Sequence, residues 1–201
     1  MKKTLQRCCS FFCTFSILFL VGCINHETHG QVAETRDQSA VIPHDPFPSR
    51  SISPIEAGMW NVVRVVDGDT LIVGDNTDRE QQYRVRLIGI DAPELARGNT
   101  PAEPFANEAA EFVREKLTEA GNKVRIDFDG EQLDQYRRTR AMVYLKMPDG
   151  REVWLNQLLI FEGLAHARLD FRYSHGAKLH FALAEIEARR NKRNLWKDGE
   201  E

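Results

Sequence analysis

The run from Met59 to Ile90 constrains the fold more than any other part of the chain. Its first segment, MWNVVRVV (59–66), is apolar and β-branched, the composition of a strand. Asp67-Gly68 is a turn signal, and Thr70–Val73 starts a second strand. A polar stretch, Gly74–Glu80, leads into Gln81–Ile90, where Tyr83, Val85, Leu87 and Gly89 alternate with Arg84, Arg86 and Ile88. A period of two puts successive side chains on opposite faces, so these segments read as a β-meander.

Residues 91–104 hold Pro93, Gly98, Pro101 and Pro104 and read as loop. Beyond them Phe105, Ala109, Phe112, Val113 and Leu117 recur at helical spacing, with Glu108, Glu111, Arg114 and Glu115 facing elsewhere. Val124, Ile126 and Phe128 alternate as a fourth strand, and Ala141–Met147 is a fifth, closed by the turn Pro148-Asp149-Gly150. Trp154–Phe161 predicts a short helix ending at Gly163. A last helix starts near Lys178, with Leu179, Leu183 and Ile186 on one stripe. Five short strands with a helix after the third predict a mainly β, α+β fold: a five-stranded Greek-key barrel of the OB type with about three helices.

The beginning of the chain carries a different signal. Lys2, Lys3 and Arg7 precede an apolar run, Phe11–Val21, that is too short for a 20-residue membrane span and has the form of a secretory signal peptide. The run ends in Leu20-Val21-Gly22-Cys23, which resembles the bacterial lipobox; that resemblance implies cleavage before Cys23 and a diacylated cysteine holding the protein to a membrane. The leader and lipobox imply an extracytoplasmic address, lipid-anchored to the cell membrane or an outer membrane, and Ile24, standing where the retention pattern of Gram-negative inner-membrane lipoproteins has Asp, points outward. The expected division is a signal peptide over 1–22, a lipidated cysteine and tether over 23–56, and a folded domain over 57–201. Pro43, Pro46, Pro48 and Pro54 break any hydrophobic period in the tether. All four cysteines (Cys8, Cys9, Cys13, Cys23) lie in the leader region, so the folded domain is expected to use neither disulfides nor thiolate metal sites. The net charge of -3 excludes a strongly basic nucleic-acid wrapper, while leaving room for a local basic surface.

Chemistry gathers in three places. Asp67-Gly68-Asp69-Thr70 sits at a strand–strand turn, and Asp91-Ala92-Pro93-Glu94 follows a strand. Carboxylates at strand ends bind hard cations through oxygen, although Asp-Gly is also an ordinary hairpin turn. The third place is Tyr136, Arg137, Arg138 and Arg140, which reads either as guanidinium forks and a stacking ring for a polynucleotide or as a solvated charge run. Arg86 lies on the face opposite Val85 and Leu87, and on a curling sheet it points toward the carboxylates in a wet cleft. Metal, carboxylate and arginines together suit phosphoryl-ester hydrolysis.

Five stretches, VVRVVDGDTLIV (62–73), YRVRLIGIDAPE (83–94), DQYRRTRAMVYL (134–145), LNQLLIFEGLAHA (155–167) and NKRNLW (191–196), resemble in order and spacing the thermonuclease family of staphylococcal-nuclease-like OB-fold domains. The resemblance implies a monomeric nuclease that cleaves DNA and RNA with Ca2+ and leaves 3'-phosphate ends. It implies Asp69, Asp91 and the Ala92 backbone carbonyl as calcium ligands, with Asp67 supporting the cation through water. It implies Arg86 and Arg138 as catalytic arginines, Glu94 as general base or water orienter, and Tyr136 as a phosphate contact. Arg137 and Arg140 depart from the family's Gly and apolar residue and are expected to bind substrate from the rim. Leu169 stands where the family has a second tyrosine, and the loop 95–104 is longer than in the best-known members. The alternative is a catalytically silent OB module binding polynucleotide or a partner protein.

Overall fold

The computed structural model of the protein describes residues 53–197; the leader, Cys23 and most of the expected tether lie outside these residues. Among the described residues no helix is long and apolar enough to cross a membrane. The last part of the stretch read as tether is packed on the domain. The Ser53 N–H donates to Gln132 Oε1 (2.9 Å), its hydroxyl lies 2.9 Å from that of Thr139, and Ile55 is buried in the core.

The meander forms as the alternation requires. Strands β1 (Gly58–Asp67), β2 (Thr70–Gly74) and β3 (Gln82–Leu87) pair antiparallel, with Asp67 opposite Thr70 and Thr70 opposite Arg86. β2 is buried from Thr70 to Val73, as befits a strand covered on both faces. β4 (Ile90–Asp91) follows, then α1 (Ala106–Glu119), β5 (Lys123–Asp127), β6 (Thr139–Lys146), β7 (Glu152–Trp154) and α2 (Leu155–Phe161). β8 (His166–Ala167) and α3 (His175–Arg190) complete the domain. The order β3-β2-β1-β5-β6 closes on itself because β3 also pairs with β6, in parallel, with Arg86 opposite Arg140. The result is the expected five-stranded barrel with three helices.

Leu71, Val85, Leu87, Ile126, Val143 and Leu145 are all at most 1% exposed and fill the barrel. Each such side chain contributes roughly 1.5–3 kcal/mol relative to exposure. α2 closes one end with Leu155, Leu159 and Ile160, and its fully buried Asn156 stitches it to the strands. The Asn156 amide donates to the carbonyls of Ile88 (2.8 Å) and Ala141 (3.3 Å) and accepts from the Val143 N–H (2.9 Å).

Three details differ from the sequence expectation. The third predicted strand stops at Leu87; Gly89 takes φ +77 between Phe181 and Tyr173, and the chain resumes as β4, which pairs with β8 instead of β2. α3 begins three residues earlier than expected, where the Ser174 hydroxyl caps the Ala177 N–H. Its stripe of Leu179, Leu183 and Ile186 faces solvent, and Ala177, Phe181, Ala184 and Ala188 make the core face instead. Small residues let α3 pack closely against α2 and β8, so the larger aliphatic residues are left on the outside.

Candidate active site

The two acidic turns meet under α1. Gly68, in the β1–β2 turn, has no room for a side chain: a Cβ there would lie 2.8 Å from those of both Ala109 on α1 and Ala92. This contact sets Asp67-Gly68-Asp69 against Asp91-Ala92, two loops far apart in sequence. Asp69 is only 3% exposed. Its Oδ2 accepts from the Ala92 N–H (2.8 Å) and its Oδ1 from the Thr70 hydroxyl (3.0 Å), so the carboxylate is held from both turns.

Arg86 reaches this pair from β3. One end of its guanidinium is ion-paired with Asp69 and the other with Asp91, Nη2 lying 2.7 Å from Oδ1. Nη2 also donates to the Ile90 carbonyl (3.3 Å). The side chain is 15% exposed, so the wet cleft expected for Arg86 is a largely enclosed one. Burial lowers its pKa; Asp91 opposes that shift, and the positive charge of Arg138 adds to it.

Arg138 faces the same side of the barrel from the start of β6. Arg86, Asp134, Tyr136, Arg138, Arg140 and Phe171 line a cleft of about 140 Å3. The Arg138 Nε donates to Asp134 (2.6 Å), whose other oxygen accepts from the backbone N–H groups of Tyr136 (2.9 Å) and Arg138 (2.8 Å). Burial alone would raise the Asp134 pKa, but the hydrogen bonds from the Arg138 side chain and backbone outweigh it and hold the carboxyl below the usual range. Arg137, where the resembled family has glycine, keeps the left-handed conformation at φ +60, so the turn survives the larger residue. Its side chain is exposed, as is that of Tyr136. Arg140 is half-buried against Phe171, 5.2 Å from the ring centre, and pairs with Glu131 at 3.5 Å, so it belongs to the cleft wall and not to a loose rim.

Glu94 stands slightly apart. Its carboxylate is solvent-exposed and bridged by Arg97 (3.4 Å), which also reaches Asp67 (3.5 Å). The Glu94 N–H is held by Glu103 (2.9 Å), and Arg97 pairs with Thr100 across the loop, so the longer loop 95–104 is folded back on itself beside the acidic turns. Leu169 is exposed, whereas Phe171 lines the cleft.

Three contributors were missed in the sequence. Asp134 orients Arg138, and the Asp-x-x-x-Arg spacing across a tight turn is the signal that would have found it. Arg97 and Arg168 lie in segments without periodicity, and nothing local marks them. Arg168 is delivered by the β4–β8 ladder, where Asp91 pairs with His166, and its Nη1 lies 3.0 Å from Asp91 Oδ2.

Among the described residues no three His, Cys, Asp or Glu side chains group into a metal cage. The donor set nevertheless suits a hard cation. Asp69 and Asp91 already converge on one positive group, and Asp91, although both its oxygens face arginines, is 47% exposed and so within reach of water.

The fold and this acid–arginine cluster at one end of it define an OB-type barrel with the elements of a phosphate-handling site. Residues 84–198 match the family model described as staphylococcal nuclease homologue, and the chain belongs to that family. It is 38% identical over 151 residues to the thermonuclease of Staphylococcus hyicus, covering 75% of this chain and 83% of that protein. Identity to the thermonuclease of Staphylococcus intermedius is 37% over 153 residues, with the same shares. Endonuclease YncB of Bacillus subtilis (strain 168) is 31% identical over 178 residues, 86% of this chain and 75% of that one.

Proposed function

We propose that this protein is a nuclease that hydrolyses phosphodiester bonds of DNA and RNA with calcium, leaving 3'-phosphate ends, while anchored outside the cytoplasm through a lipidated Cys23. The observation that carries this reading is Arg86 held between Asp69 and Asp91, with Arg138 facing the same cleft. Family membership and the similarity to named thermonucleases and an endonuclease support it.

Asp69, Asp91 and the Ala92 carbonyl would hold calcium, with Asp67 behind them. Bound there, the ion supplies positive charge that polarises a phosphoryl oxygen and acidifies water. The chain's own residues do the rest. Arg86 and Arg138 donate to non-bridging phosphate oxygens, on which negative charge grows in the transition state. Glu94, exposed and not committed to the cation, accepts a proton from the attacking water, and Arg97, which also reaches Asp67, holds it near the acidic turns. Tyr136, exposed beside the cleft, offers a ring face for a base, and Arg137 and Arg140 add local positive charge to a chain of net negative charge.

The test is digestion of end-labelled single-stranded DNA, duplex DNA and RNA by the purified chain, with calcium and with excess chelator, followed by end-group analysis. Calcium-dependent fragments ending in 3'-phosphate are expected. Cleavage at full rate in chelator, or 3'-hydroxyl ends, refutes the mechanism; no cleavage of any polymer refutes the enzyme.

A further inference from the structure

The carboxylate of Asp91 is occupied on both oxygens. Oδ1 faces Arg86 at 2.7 Å and Oδ2 faces Arg168 at 3.0 Å. The second contact is built and not incidental. Arg168 is placed by its own N–H, which donates to the Gly89 carbonyl (2.8 Å) at the turn into β4. Its carbonyl accepts from the buried Tyr173 hydroxyl (2.9 Å). Its Nε and Nη2 fork onto the two oxygens of Asp170, each at 3.0 Å, and its guanidinium lies 4.9 Å from the centre of the Phe171 ring. Five contacts, two of them holding the backbone, therefore aim the one remaining nitrogen, Nη1, at Asp91.

A guanidinium aimed at a carboxylate that a dication must use opposes that dication. The cation has to share Asp91 with Arg168 as well as with Arg86, and each like charge this close repels it by more than thermal energy even at an effective dielectric constant of ~20. Asp170 works in the opposite direction: it cancels part of the Arg168 charge, so the opposition is a several-fold effect and not a block. Asp91 does not need Arg168 to stay in place, because Arg86 and the β4–β8 pairing hold it independently.

We propose that Arg168 is a positioning residue that acts through Asp91 as a built-in competitor for the cation, and that the Arg168–Asp170 pair sets the calcium concentration at which the site fills. This rests on the calcium reading of Asp69 and Asp91 given above. The proposal makes two expectations of opposite sign, and a merely structural role for the pair produces only losses.

The experiment is titration calorimetry of calcium chloride into the full chain, without nucleic acid, for the wild type, Arg168→Ala, Arg168→Lys and Asp170→Asn, with urea unfolding as the check of fold. Removing the competitor in Arg168→Ala tightens calcium binding by at least ~5-fold, Arg168→Lys keeps the charge and stays within ~2-fold, and Asp170→Asn weakens binding by at least ~3-fold. If Arg168→Ala does not fold, Arg168→Gln carries the same expectation. Unchanged or weaker binding in the folded neutral variant overturns the competitor and leaves the calcium site standing. A wild-type chain that takes up no calcium overturns both.

Discussion

Arg86 is expected to hold the fold together as well as to serve the reaction, and the two contributions separate experimentally. The substitution is Arg86→Met, which keeps the length and removes the charge. It strands Asp69, 3% exposed, without its ion-pair partner. Breaking a buried pair by removing one member costs about 3–5 kcal/mol. Asp69 retains the Ala92 N–H and the Thr70 hydroxyl, and Asp91 is half in solvent, so the lower end applies, ~3 kcal/mol. Adding Asp69→Asn removes the stranded charge, and the double variant is expected to recover at least ~1.5 kcal/mol of that loss. The assay is urea unfolding followed by far-ultraviolet circular dichroism in excess chelator, comparing both singles, the double and the wild type. Calcium at ~100 times its dissociation constant for the variant should then add about 2.7 kcal/mol to Arg86→Met, because a ligand bound only by the folded state stabilises it by mass action. Single-turnover cleavage at saturating calcium should still fall at least ~100-fold, since the phosphate contact is gone. A cost below ~1 kcal/mol in chelator, or a double variant no more stable than Arg86→Met, refutes the argument that the pair is a structural element.

Three further outcomes are expected. Arg138→Ala and Glu94→Ala should each lower single-turnover cleavage of a short DNA at least ~100-fold, against less than ~10-fold for Arg137→Ala; a dead Arg137→Ala beside an active Arg138→Ala would put the two arginines in exchanged roles. Asp134 has a depressed pKa in the fold, so its stabilisation is complete above the ordinary aspartate pKa of ~3.9 and is lost as pH falls through the lower folded value. Asp134→Asn should therefore show a smaller loss of stability between pH 5 and pH 2 than the wild type, and equal slopes in acid titration would contradict this. Cys23→Ser should leave the leader unprocessed or release the protein from membranes, read by mass and membrane partition; an unchanged mass and partition would remove the lipid anchor.

The meander was legible because its strands are local and alternate cleanly, and barrel closure followed from counting strands. What escaped the sequence was decided by tertiary contact. The break of β3 at Gly89 depends on the Phe181 and Tyr173 rings, more than 80 residues away in each case. The orientation of α3 runs against its sequence because three large aliphatic residues at helical spacing look like a core face, and only the close approach of the alanine side reverses that. In the site, the motif residues were visible as types at turns, whereas their partners Asp134, Arg97 and Arg168 were not. An ion pair such as Arg168–Asp91 joins two loops through a two-residue ladder and leaves no periodic trace.

The stitch made by Asn156 bears on how the chain assembles as it emerges from the ribosome. β1, β2 and β3 can pair as soon as they exist, because their contacts are near in sequence. The seam between β3 and β6 joins residues more than 50 apart and runs parallel, the slow kind of pairing. The side chain that ties that seam to α2 arrives later still, at residue 156. Until then β3 presents a bare edge carrying Val85 and Leu87, a template for pairing with a neighbouring nascent chain. Arg84 and Arg86 on the same strand place charge along that edge, and charge on an exposed edge disfavours such pairing.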